Sequence, residues 1–153
     1  EVPKEIRVEP APVKMLSAPL QLGFEADLPV GWQTRPGQGM RVVSYAIEGT
    51  QIDFYIIKLG MGDVTSNVNR WRGQVDLPEA SAEAIAQSIK PLMAGNTPVQ
   101  YIELYNEDKN RGILAAIADR APSYWYFTAK GAADELKAHA HDIQRFINSI
   151  RFE

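Results

Sequence analysis

Asn67, Arg70 and Gln74 follow one another at spacings of three and four residues, so on a helix an amide, a guanidinium and a second amide project together. A guanidinium can hold a carboxylate through two parallel N–H bonds while neighbouring amides add directional bonds, so the chemistry offered is polar recognition. Nothing at that spacing supplies a general base, and a solvated helix face is the competing reading of the same residues.

His139 and His141 are the only histidines. Two residues apart on a helix they point about 200° from one another and cannot share a metal as an i, i+4 pair could. Glu135 lies one turn before His139, which leaves a hydrolase-type site using His139 with a nearby acid or serine as the enzymatic alternative to a partly exposed structural histidine. No Gly-x-Ser-x-Gly elbow presents a serine nucleophile. Gly60-Met61-Gly62 lacks both a Walker lysine and a third glycine at the dinucleotide spacing, and reads as a strand-to-helix turn. Glu103, Glu107 and Asp108 do not have the spacing of a calcium loop and read as charges that keep a sheet edge soluble. Tyr124, Trp125, Tyr126 and Phe127 resemble a stacking platform, but their two-sided pattern makes them mainly core. With no cysteine in the chain, thiol nucleophiles, disulfides and zinc–thiolate sites are excluded together. The sequence therefore assigns no catalytic residue, no metal ligand and no cofactor, and leaves Asn67, Arg70 and Gln74 as the candidate binding set.

The elements that must position these residues are readable from periodicity. Residues 1 to 20 hold Pro3, Pro10, Pro12 and Pro19 and read as an extended tether, although Ile6 and Val8 could add an edge strand. Residues 21–153 read as one globular α/β unit. Phe24, Ala26 and Leu28 alternate with acidic residues as in a half-buried strand, before Pro29, Gly31 and Trp32 turn the chain. Met40 to Ile47 and Ile52 to Leu59 flank Glu48-Gly49-Thr50-Gln51, a hairpin signal. Val64, Val68, Trp71 and Val75 form one helical stripe, capped by Asp63 or Thr65. A second helix is expected from Ser81 to Lys90, with Ala82, Ile85 and Ile89 on one side and Pro91 limiting it. Ile113 to Ala118 and Tyr124 to Thr128 are apolar on both faces. The closing helix, Ala132 to Ser149, carries Leu136, Ala140, Ile143, Ile147 and Ile150, widened by Phe146. Strands greasy on both sides need cover on both sides, so the fold class is α+β: a mostly antiparallel sheet of about 5–7 strands with helices on both faces.

The length of 153 residues suits one core, and a hydrophobic content of 45% with 23% charged residues argues against disorder. No apolar run approaches the ~20 residues of a membrane span. A net charge of -3 provides no field for nucleic acid, and only Arg70, Arg72, Arg35 and Arg41 hint at a basic patch, so nucleic acid is not expected as a partner. The chain opens at Glu1 without Met or a hydrophobic signal segment, which reads as a mature or trimmed product.

The run Gly62-Asp63-Val64-Thr65-Ser66-Asn67-Val68-Asn69-Arg70-Trp71-Arg72-Gly73-Gln74-Val75, followed by Leu77-Pro78, resembles a signature of uncharacterised bacterial envelope proteins of lipoprotein type. Arg111 to Ile117, Trp125-Tyr126-Phe127 before Gly131, and the close Ser149-Ile150-Arg151-Phe152 extend the likeness. Asp76 stands where that signature has glycine, and Thr128 where it has lysine. The opening Phe24 to Trp32, with Leu-Pro-x-Gly-Trp, is similar to the start of PsbP-like α/β/α sandwiches, named after an extrinsic photosystem II subunit. The resemblance implies that fold and a location on the periplasmic side of the bacterial envelope, with membrane attachment only through a lipid anchor upstream of this chain. It implies no reaction. The function expected is thus noncatalytic binding of a protein partner or small ligand.

Overall fold

The computed structural model describes residues 22–153, so the expected tether over residues 1 to 20, with its Ile6 and Val8, lies outside the described residues. In chain order these residues form β1 (Phe24–Glu25), β2 (Trp32–Pro36), β3 (Arg41–Ile47), β4 (Asp53–Leu59), α1 (Val64–Gln74), α2 (Ala82–Ser88), β5 (Lys90–Ala94), β6 (Thr97–Asn106), β7 (Arg111–Arg120), β8 (Ser123–Gly131), α3 (Ala133–Asn148) and β9 (Arg151–Phe152). Seven strands make one sheet in the order β2-β3-β4-β8-β7-β6-β5, with every pairing antiparallel; β1 and β9 form a separate two-stranded sheet.

The two-sided strands divide their side chains between two cores. On β7, Leu114, Ala116 and Ala118 join a cluster with Leu136, Ile143, Phe146 and Ile147 of α3. The alternate residues Ile113, Ala115 and Ile117 join Val68, Trp71, Val75 and Ile85 from α1, α2 and the residue after α1. Burying each large apolar side chain contributes about 1.5–3 kcal/mol, so the alternation of β7 itself holds both clusters to one strand. Strands β2 and β3 contribute no residue to the second cluster. On that side they carry Gln33, Arg35, Ser44 and the small Ala46: the register sets Arg35 beside Ser44, Ser44 beside Tyr55 and Tyr55 beside Thr128.

Local chemistry fixes the ends of the elements. The β3–β4 hairpin turns on Gly49 at a φ of 80°, and Thr50 Oγ1 both donates to the Ile47 carbonyl and accepts from Ile52 N. Asp63 caps α1 by accepting from Ser66 N at 3.2 Å. Helix α3 has no cap from Ala132; Asn110, in the β6–β7 hairpin, accepts from Asp134 N at 3.0 Å instead. Asp76 has a φ of 61°, the left-handed region in which glycine is strain-free and Asp is tolerated. That accounts for the resemblance leading one to expect glycine there.

Four expectations are corrected. The strand over Phe24 to Leu28 shrinks to Phe24–Glu25, because beyond it Asp27 N bonds to Ser149 Oγ at 2.8 Å and leaves any ladder. Trp32 does not turn the chain but begins edge strand β2, its ring packed on Phe54 and Phe146. The second helix ends at Ser88, and Pro91 lies within β5. A residue before proline favours extended backbone, and an edge strand can spare the missing N–H, so the same proline that was expected to limit a helix is accommodated in a strand. Finally, α3 ends at Asn148, and Ile150 is buried past the helix end, on the way to β9.

Candidate functional site

Helix α1 is tied down along both edges. On one, Asn69 exchanges two hydrogen bonds with the backbone of Ala80, and Arg72 Nε donates to the Pro78 carbonyl at 2.6 Å. On the other, Asn67 Nδ2 donates to the Asp63 carbonyl at 2.8 Å and to the Tyr126 hydroxyl at 3.2 Å. That hydroxyl in turn donates to the Met61 carbonyl at 2.5 Å. Asn67 Oδ1 is left to accept from Arg70 Nη2 at 2.6 Å, so an exposed guanidinium is steered by a half-buried amide. Burial raises Tyr126 above the usual phenol range, while the bond from Asn67 and the Arg70 charge pull it back. The phenol therefore stays protonated near neutral pH and donates to Met61.

Tyr126→Phe is expected to cost about 1–2 kcal/mol in stability, because the Met61 carbonyl loses its donor. Urea titration measures this; an unshifted midpoint would mean that the hydroxyl does not hold the turn before α1.

Of the three residues singled out by sequence, the structure joins Asn67 and Arg70 directly. Gln74 lies one turn beyond Arg70 and seven helical residues, about 10 Å, from Asn67, and it borders a cleft of about 570 Å³ with Asn110, Arg111 and Lys130. There Arg111 Nη2 donates to the Gln74 carbonyl at 2.7 Å and Nη1 to Asp76 at 2.9 Å.

Next to this edge of α1 lies the polar half of the sheet, which sequence reasoning reached only through Arg35 and Arg41 as scattered arginines. The Arg41 guanidinium lies 3.9 Å above the centre of the Tyr55 ring and pairs with both oxygens of Asp53, at 3.0 and 2.7 Å, and with Ser44 Oγ at 3.2 Å. The bond to Asp53 raises Arg41 further above its usual range, against the opposing effect of burial. Lys130 Nζ approaches the same ring at 5.6 Å. Arg35, Arg41, Ser44 and Asp53 border a cleft of about 870 Å³. No periodicity marks these residues as neighbours, because strand register alone brings them together.

His139 Nδ1 is buried without a hydrogen-bond partner, His141 is exposed, and Glu135 accepts from Gln51 N at 3.0 Å, so the acid one turn away is directed to the β3–β4 loop. Glu103 does not serve an edge: half-buried, it accepts from Tyr101 and Tyr105 hydroxyls at 2.7 and 3.0 Å and from Gln144 of α3 at 3.2 Å. Its position on an inner strand facing α3 explains the difference. Burial first, and Glu103 second, raise both phenols. Glu107 pairs with Lys137. Trp125, Tyr126 and Phe127 are buried between the two clusters. In the Gly60–Gly62 turn a Cβ on Gly62 would lie 2.3 Å from the Tyr124 ring, so a glycine is required by close approach. Among the described residues no group of three acidic or histidine side chains could hold a metal ion, and no helix is long and apolar enough to cross a membrane.

No family model matches the chain, and no curated protein matches it. Solved structures do. The chain is similar to cyanobacterial PsbP from Synechocystis sp. PCC 6803, with 12% identity, 86% of this chain and 87% of that one covered, and a TM-score of 0.52. It is also similar to LpqN, a protein involved in cell envelope biogenesis of Mycobacterium tuberculosis, with 13% identity, 86% and 83% coverage, and a TM-score of 0.53. At such identity the likeness establishes a PsbP-like α+β fold; function resides in the site and is not inherited from a fold.

Proposed function

We propose that this chain is a noncatalytic domain of the bacterial cell envelope that binds a protein partner or small ligand through the Asn67–Arg70 edge of α1, with Gln74 extending the contact. The observation that carries the reading is the exposed Arg70 guanidinium steered by Asn67, itself held by Tyr126 and Asp63. A guanidinium pre-oriented in this way loses less freedom on capturing a carboxylate than one on a free side chain. The two clusters, one containing α3 and the other α1 and α2, support a helix layer on each side of the sheet. The likeness of the α1 sequence to envelope lipoproteins supports a periplasmic-side location with an anchor upstream of Glu1. LpqN, as an envelope protein of the same fold, fits that location. No cofactor enters this reading.

Cross-linked capture from an envelope extract, with wild type and Arg70→Ala side by side, tests it. The expected result is recovery of a partner or ligand by the wild type and a loss of roughly tenfold or more in the variant, as befits one charge-assisted pair. Stability should stay within about 0.5 kcal/mol, since the site is at the surface. Equal recovery by both proteins at equal stability removes the α1 edge from the function.

A further inference from the structure

We infer that the face of β2, β3 and the Asp53–Tyr55 end of β4, left uncovered by α1 and α2 among the described residues, binds an acidic peptide segment of a partner, with Arg35 and Lys130 as the two charged grips. The inference goes beyond the α1 reading to a second surface and names the chemistry of what that surface recognises.

The charge distribution carries the argument. Strands β2, β3 and β4 hold Arg35, Arg41 and Lys58 against one carboxylate, Asp53, in a chain whose net charge is -3. Lys58 belongs to the opposite face, where its Nζ lies 5.3 Å from the Trp125 ring. On the uncovered face Asp53 and Arg41 neutralise each other through a bidentate pair, and Arg41 lies flat on Tyr55, which is 9% exposed. The floor is therefore ordered and near neutral. The charge left unpaired by any carboxylate among the described residues stands at its two ends, on Arg35, which bonds Gln33, and on Lys130.

Register sets the span between these ends. Arg35, Ser44, Tyr55 and Thr128 are successive partners across β2, β3, β4 and β8, and Lys130 is two residues beyond Thr128 on the same face. Three inter-strand steps of about 4.8 Å with a two-residue offset of about 7 Å along β8 place the two Cα atoms about 16 Å apart, which four residues of extended peptide at ~3.4 Å each, about 14 Å, span with the help of the long side chains. Two carboxylates four positions apart in an extended segment would reach both cations while the chain between them crosses the Arg41–Tyr55 floor. Each contact is charge-assisted and within the reach of long side chains.

The test uses a fluorescein-labelled peptide of glycine and serine carrying two glutamates four positions apart, and its twin with two glutamines, read by fluorescence anisotropy. Arg35→Ala with Lys130→Ala is expected to weaken binding of the glutamate peptide about tenfold or more, and the glutamine twin should bind as poorly as that variant. Lys137→Ala with Arg145→Ala on α3 removes the same charge elsewhere and should change binding less than about twofold. Equal losses in the two double variants, or no loss in either, overturns the inference. So does binding of phosphatidylglycerol vesicles, abolished by Arg35→Ala with Lys130→Ala, when the peptide itself does not bind. Because Arg70 is untouched in these variants, a failed Arg70→Ala capture with a successful peptide result sinks the α1 reading alone.

Discussion

Phe146→Ala is expected to lower the unfolding free energy by about 3–5 kcal/mol, the range for truncating a fully buried aromatic ring. Phe146 is 1% exposed, and its ring centre lies 4.9 Å from that of Tyr45, 5.2 Å from Trp32 and 5.6 Å from Phe54. These three partners come from β3, β2 and β4, so one α3 side chain fastens the helix to the end of the sheet that α1 and α2 leave uncovered. The cavity would open among rings held by separate strands, which limits collapse into it, and each aromatic pair adds about 0.5–1.5 kcal/mol beyond burial. A guanidinium titration with an unchanged slope should show the shift in midpoint. A loss below about 1.5 kcal/mol would mean that the cluster repacks and that α3 does not depend on this contact.

Gly95→Ala is expected to cost about 3 kcal/mol or more, against about 1 kcal/mol for Gly49→Ala. Both glycines have a positive φ, 60° and 80°, so both substitutions incur the left-handed penalty. They differ in space. A Cβ on Gly49 meets nothing within 4 Å, whereas one on Gly95 would lie 2.3 Å from the Ile150 carbonyl oxygen, a backbone atom that cannot rotate away. Gly95 N also donates to the Asn148 carbonyl at 3.1 Å, so relieving the clash breaks the bond between the β5–β6 turn and the end of α3. Thermal or urea unfolding of the two variants side by side isolates the clash as their difference. Equal destabilisation would show that the β5–β6 turn does not bear on the residues after α3.

Much of this fold is written in local pattern. The α1 stripe, its Asp63 cap, the β3–β4 hairpin and the stripe of α3 need only residues within one or two turns, where side-chain periodicity of 3.6 or 2 determines which face is apolar. Asn67 and Arg70 were readable for the same reason, being neighbours on a single helix. The errors fall where a distant partner overrides a local preference. Phe24 to Leu28 alternates like a strand, yet Ser149, 122 residues from Asp27, takes the Asp27 N–H that a longer strand would have used. Pro91 punctuates a helix locally and an edge strand in context.

The sequence by itself determined which strands are apolar on both sides, which helices have an apolar stripe, and that no thiol is available. Tertiary structure alone decided that Gln74 borders a cleft with Arg111 and Lys130, that Glu103 is a half-buried acceptor for two tyrosines, and that Arg35, Arg41, Tyr55 and Lys130 share one face. The physical reason is the sheet order β2-β3-β4-β8-β7-β6-β5: pairing β4 with β8 bridges some seventy residues of chain. Side-chain periodicity reports which way a residue points, but only inter-strand register decides what stands beside it.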